Sequence, residues 1–251
     1  MDLSGSKNLE EIPVLSLANL EKLLLTGCSS LVGITSSIRN LHKLLVLDMS
    51  KCTNLEALPS EINLKSLDRL DLGGCSQLKK EHRYWFSTGF ITTCISLNQH
   101  VGLVLFVLQP LTFLTTFLTM MNLGGCSSLV ELPSSSIQNL KKLASLSMED
   151  CTNLEALPAD LNLTSLDCLN FDECSRLKIF PMISNTIYLL ILNRTAIKEV
   201  PWWINTFYKL RCLRMKECKN LKCIPLFYGM QQLKRLTFQV AGYPGHLHQR
   251  V

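Results

Sequence analysis

Cysteine is the residue type with the widest range of chemistry in this chain: eleven stand among 251 residues. Thiols placed together can hold a metal, exchange disulfides or act as nucleophiles. Cys212, Cys218 and Cys223 lie close in sequence, as do Cys168 and Cys174, but neither group has the C-x-x-C-type spacing that converges on zinc. His42, His82, His100, His246 and His248 share no metal or catalytic spacing. There is no H-E-x-x-H, no G-x-S-x-G and no pair of acids placed across a cleft. No catalytic residue, metal site or cofactor is expected, and the chain is not read as an enzyme.

The cysteines instead mark a repeat. Cys28, Cys52, Cys75, Cys126, Cys151, Cys174 and Cys218 share the frame L-x-x-L-x-L-x-x-C-x-x-L. Leu67, Leu70 and Leu72 precede Cys75 and Leu78 follows it; Leu210, Leu213, Met215 and Leu221 stand likewise around Cys218. Weaker copies place Ser6, Thr195 and Ala241 at the anchor. Anchors are 21 to 25 residues apart except between Cys75 and Cys126. Proline keeps the frame as well, with Pro13, Pro59, Pro133, Pro158, Pro181 and Pro225 seven residues past an anchor and Pro201 six past. Residues Cys52 to Pro59 recur unchanged as Cys151 to Pro158, so the array grew partly by block duplication.

This is the leucine-rich repeat, and fifty leucines in the chain fit one aliphatic slot filled many times. Alternate residues of L-x-L face opposite sides of a short strand. No repeat can bury its own apolar face, so neighbours must stack. The expected fold is α/β, a solenoid with a curved parallel β-sheet on the concave face. Short 3₁₀, extended or helical turns form the convex return, where proline limits helix length. The anchor residue is expected to turn inward and satisfy backbone groups of the bend. Cys168 and Cys212, six before their anchors, then face outward while Cys174 and Cys218 face inward, so these thiols diverge and pack as small apolar groups. Adjacent anchors, at about 4.8 Å strand spacing, are near disulfide geometry. Met1 to Gly5 shows no basic-then-apolar leader, so free thiols in a reducing compartment are expected.

The frame L-x-x-L-x-L-x-x-C-x-x-L-x-x-L-P resembles the repeats of plant intracellular immune receptors, in particular the TIR–nucleotide-binding–leucine-rich-repeat disease resistance proteins. Asn193 to Pro201 and Leu72 to Ser76 carry the likeness, which covers residues 1–80 and 118–240. The resemblance implies a non-catalytic protein-recognition module in plant defence signalling. Its partner would be a pathogen effector, a host guardee or other domains of a resistance protein, in the cytoplasm or the nucleus. The sequence has no G-x-x-x-x-G-K-[ST], so the family's nucleotide switch is not carried over. Met1 already falls within a repeat and neither end shows a polar cap. That is the pattern expected of a truncated fragment, a shortened paralogue or a mispredicted product; a remnant without autonomous function is an alternative to the recognition module.

The array divides into repeats at 1–78, an apolar insert or degenerate repeat at 79–117, repeats at 118–241 and a tail at 242–251 that is expected to fray. No Asp, Glu, Lys or Arg occurs between Arg83 and Glu131. Residues 101–121 are long and apolar enough for a membrane span, though Pro110 interrupts them. A span there would put the two halves of the solenoid on opposite sides of a bilayer, so membrane anchoring is the lesser alternative. A translated non-coding segment, or a degenerate repeat with its anchor at His100, accounts for the same stretch.

Outward strand residues define the candidate partner surface: Asp48, Arg69, Asp71, Asn122, Glu149, Asn170, Asp172, Asn193, Arg214, Lys216, Arg235 and Gln239. The middle of this face is acidic and its far end basic. Residues 198–235 hold nine Lys or Arg against two Glu, a balance that suits an acidic protein partner. The net charge of +5 is too mild to call for nucleic acid. Trp202 and Trp203 follow Pro201 on the convex side; one is expected to pack between repeats and the other to be available for contact.

Overall fold

The computed structural model describes residues 1–12, 19–56, 58, 64–78, 117–132, 140–158, 163–228, 230–238 and 247–249. Ten short strands form one sheet in chain order. They are β1 (Lys22–Leu24), β2 (Val46–Asp48), β3 (Arg69–Asp71), β4 (Met120–Asn122), β5 (Ser145–Ser147), β6 (Cys168–Asn170), β7 (Leu189–Ile191), β8 (Cys212–Met215), β9 (Arg235–Phe238) and β10 (Leu247–Gln249).

β1 to β9 are parallel, and their register puts like residues side by side. Leu23, Leu47, Leu70, Met121, Leu146, Leu169, Leu190, Leu213 and Leu236 form one row of partners. All nine are buried. A second inward column, Leu25, Met49, Leu72, Leu123, Met148, Phe171, Leu192, Met215 and Phe238, lies two residues further on and is also buried. A one-residue slip would turn both columns to solvent, which locks the register. Each fully buried leucine contributes roughly 1.5–3 kcal/mol, but only because the next repeat covers it.

Among the described residues the return segments are extended or 3₁₀, with turns at Ser36–Asn40 and Trp202–Thr206. Ile204 anchors the second of these in the core. Trp203 packs edge-on against Phe180 at 5.4 Å and against Phe207 at 5.7 Å, while Trp202 is exposed. One tryptophan packs between repeats and the other does not, as the sequence suggested.

β3 pairs directly with β4, so the repeats anchored at Cys75 and Cys126 are neighbours in the sheet. Phe117 to Met121, the last five residues of the 101–121 stretch, belong to the repeat that contains β4. Residues 79–116, including His100, lie outside the described residues, and so does the question of a span there. No helix among the described residues is long and apolar enough to cross a membrane. The tail does not fray throughout: β10 pairs antiparallel with β9. An edge strand offers a row of unpaired backbone groups, and a short returning segment satisfies them.

Candidate functional site: the concave face and its turn ladder

Each strand leads into a tight turn closed by the anchor residue. The Cys52 amide donates to the Met49 carbonyl at 3.2 Å, and the same bond recurs at Cys75, Cys126, Cys151 and Cys174. The residue before the anchor is left-handed in every repeat whose turn is described. Gly5, Gly27, Gly74 and Gly125 take that place in four repeats; Lys51, Asp150, Glu173, Arg194 and Glu217 take it in five. Glycine adopts this region freely, and other residues do so at a cost. At Gly125 a side chain would also be crowded, because a Cβ would sit 3.2 Å from the Gly74 Cα.

Behind the turn the thiols form a ladder. Each donates across to a carbonyl of the preceding repeat: Cys52 to Leu25 at 3.1 Å, Cys75 to Met49 at 3.2 Å, Cys151 to Leu123 at 3.1 Å, Cys174 to Met148 at 3.0 Å and Cys218 to Leu192 at 3.1 Å. Thr195 donates to Leu192 within its own repeat at 2.9 Å. Burial pushes the thiol pKa up, to about 11 at Cys52 and about 12 at Cys75 and Cys151. Cys126, Cys174 and Cys218 are raised by the same cause. Protonated buried thiols are poor nucleophiles and poor metal ligands. Among the described residues no three His, Cys, Asp or Glu side chains converge as a metal site.

On the concave side the Asp and Asn residues do structural work. Asp48 accepts from the Ser50 amide at 2.9 Å, Asp71 from Gly73 at 3.0 Å, Asn122 from Gly124 at 2.9 Å and Asn170 from Asp172 at 3.0 Å. These bonds cap the amide two residues ahead, where the strand breaks into the turn. Free amide hydrogens then link repeats. Asn122 donates to Asp71 at 3.0 Å, Asn170 to Glu149 at 3.1 Å and Asn193 to Asp172 at 3.2 Å. Asn193 also accepts from the Lys216 amide at 2.9 Å. Arg69 reaches its own strand's Asp71 at 3.9 Å. One Asp172 oxygen, Oδ1, is buried without a partner among the described residues.

The candidate residues therefore fall into two sets. Asp48, Arg69, Asp71, Asn122, Glu149, Asn170, Asp172 and Asn193 line the concave face but are bonded into its turns or to one another. Arg214, Lys216 and Arg235 make no ion pair among the described residues. The register groups them: Leu189, Cys212 and Arg235 form one row, Ile191, Arg214 and Thr237 the next. Arg214 thus lies beside the half-buried Ile191, Arg235 lies two strands from the half-buried Leu189, and Lys216 directly follows β8. Gln239 lies outside the described residues. On the adjoining turn, Arg194 pairs with Glu217 at 2.8 Å and with Glu173. Both acids, Glu217 first, hold its guanidinium above its ordinary pKa.

No family model matches the chain. It is 46% identical over 253 residues to the disease resistance protein RPS6 of Arabidopsis thaliana, a match covering 95% of this chain and 22% of that protein. It is also 46% identical over 247 residues to the Arabidopsis disease resistance protein RPP5, covering 95% of this chain and 16% of the relative. The chain thus spans about a fifth of the length of these two relatives. Among solved structures it is similar in fold to the leucine-rich repeat domain of the type III effector XopL, with a TM-score of 0.58 and 19% identity, over 94% of this chain and 73% of that one. The nine-strand parallel register, the stacked leucines and the near-complete match to resistance proteins agree: the chain is a leucine-rich-repeat solenoid homologous to plant disease resistance proteins.

Proposed function

We propose that the chain is a protein-recognition module of plant defence, working inside the cell and binding an acidic protein surface at the basic end of its concave face. The observation that carries this reading is the division of labour along the sheet. The acidic and amide side chains of the middle repeats are tied into the turns, whereas Arg214, Lys216 and Arg235 make no ion pair among the described residues, and Arg214 sits beside the half-buried Ile191. Apolar contact at the centre supplies affinity and the surrounding cations supply orientation and speed of encounter. A pathogen effector, a host protein under surveillance, or another domain of a resistance protein would each present such a surface.

The test is titration of a fluorescein-labelled Asp/Glu-rich peptide followed by anisotropy. Wild-type chain should bind, and affinity should fall as salt rises. Joint reversal of Arg214, Lys216 and Arg235 to Glu should abolish binding while circular dichroism is unchanged. Unaltered affinity in that variant would remove these residues from the site.

A further inference from the structure

The return segments carry a second surface that the concave face does not explain. Aligned on their prolines, the repeats read Leu-Glu-Ala-Leu-Pro-Ser at residues 55–60 and Leu-Glu-Ala-Leu-Pro-Ala at 154–159. The last three read Leu-Lys-Ile-Phe-Pro-Met from Leu177, Ile-Lys-Glu-Val-Pro-Trp from Ile197 and Leu-Lys-Cys-Ile-Pro-Leu from Leu221. Two columns change toward the C-terminal repeats. Glu10, Glu56, Val130 and Glu155 give way to Lys178, Lys198 and Lys222. Val14, Ser60, Ser134 and Ala159 give way to Met182, Trp202 and Leu226.

The fold holds these columns side by side. The Lys222 amide donates to the Lys198 carbonyl at 2.7 Å, and Glu199 forms a parallel bridge with Cys223. Asn205 donates to the Leu226 carbonyl at 3.0 Å and accepts from the Tyr228 amide at 3.1 Å. Packing of Trp203 against Phe180 and Phe207 leaves Trp202 turned outward. Met182, Trp202, Leu226 and Tyr228 are 57%, 75%, 70% and 69% exposed. Lys178 pairs with Glu155 at the border of the patch, while Lys198 and Lys222 make no ion pair among the described residues. Residues 174–238 as a whole hold twelve Lys or Arg against two Glu, whereas 117–173 hold two against eight acids.

We infer that this row of Met182, Trp202 and Leu226 beside Lys178, Lys198 and Lys222 is a docking face for an anionic lipid surface. The cations that border the apolar row are lysines. Lysine is depleted from protein–protein interfaces, where arginine is preferred. Lysine beside tryptophan and leucine is the composition of faces that lie on a bilayer. The ammonium groups meet acidic headgroups, and the apolar tips enter the boundary between headgroup and acyl chain. This is peripheral contact on the convex side, distinct from a span through 101–121, and it does not rest on the concave-face reading above.

The test is co-sedimentation of the full chain with vesicles of phosphatidylcholine alone and of phosphatidylcholine with about a third phosphatidylserine. Binding should be about tenfold or more stronger to the anionic vesicles and should weaken in high salt. The fluorescence of Trp202 should shift to the blue and be quenched by acyl-brominated lipid; both signals should be missing in Trp202→Phe. Trp202→Ser with Leu226→Ser, and separately Lys198→Glu with Lys222→Glu, should each weaken binding about tenfold or more without altering circular dichroism. Equal affinity for both vesicle types, or unchanged binding in the serine variant, would overturn the proposal. So would sedimentation velocity showing a dimer that the serine variant abolishes, because the face would then be a contact between copies of the chain.

Discussion

Asn122 donates its side-chain amide at 3.0 Å to Asp71, which stands 51 positions earlier in the chain. The two strands that carry them are hydrogen-bonded neighbours. This contact closes the sheet over the long step between Cys75 and Cys126. The solenoid's continuity therefore does not depend on a strand from the segment between them.

Deleting residues 86–112 shortens that step from 51 to 24 residues, within the 21-to-25 range of the other repeats. The shortened chain should keep its β signal and lose little stability, because closure of a longer loop costs only about 0.6 kcal/mol per doubling of length. Circular dichroism and urea denaturation check this. A chain that no longer unfolds cooperatively would mean the segment supports the stack.

The left-handed column makes opposite predictions at neighbouring repeats. Gly125→Ala adds a Cβ at positive φ and 3.2 Å from the Gly74 Cα, so it should cost about 1–2 kcal/mol or more. Lys51→Gly relieves a side chain held at φ 60° and should stabilise by up to ~1 kcal/mol, the unfolded-state entropy of glycine offsetting part of the gain. Paired urea midpoints measure both.

The thiol ladder separates packing from hydrogen bonding. Cys151→Ser keeps a donor for the Leu123 carbonyl and should cost ~1 kcal/mol. Cys151→Val strands that buried carbonyl and should cost about 2 kcal/mol. Equal losses for the two would mean that Cys151 only fills space.

The same ladder fixes the response to alkali. An unfolded thiol ionises near 9.0, but Cys52 does so near 11 and Cys75 and Cys151 near 12 in the folded chain. Above pH 9 the unfolded state binds fewer protons than the native one, so stability falls as pH rises. The contribution is whole below pH 9 and is lost through 9 to 12. Melting temperatures under reducing conditions should drop steadily from pH 9 to pH 11. Replacing Cys52 and Cys75 with Ser should flatten that drop.

Much of the fold is legible in the spacing. Anchors at 21-to-25-residue steps place every parallel strand, because a step of one repeat must bring like leucines into register. The left-handed column was half written: Gly5, Gly27, Gly74 and Gly125 precede their anchors, but Lys51, Asp150, Glu173, Arg194 and Glu217 hide the rule in the other repeats. The cap-and-link role of Asp71, Asn122 and Asn193 was not legible. Alternation says which face a side chain takes, not which backbone amide it will meet. The pairing of β10 was hidden too, since three residues of a histidine-bearing tail have no periodicity to reveal a partner.

Among the described repeats each turn shows its neighbours a stacked apolar side chain, an inward thiol or hydroxyl and a reversed backbone residue. Turns of this array are therefore interchangeable parts. Unequal exchange between the identical stretches at 52–59 and 151–158 would remove or add whole turns and leave each new junction obeying the old packing rules. Such an array can change the length and lettering of its exposed surface by recombination, without first having to re-evolve an interior.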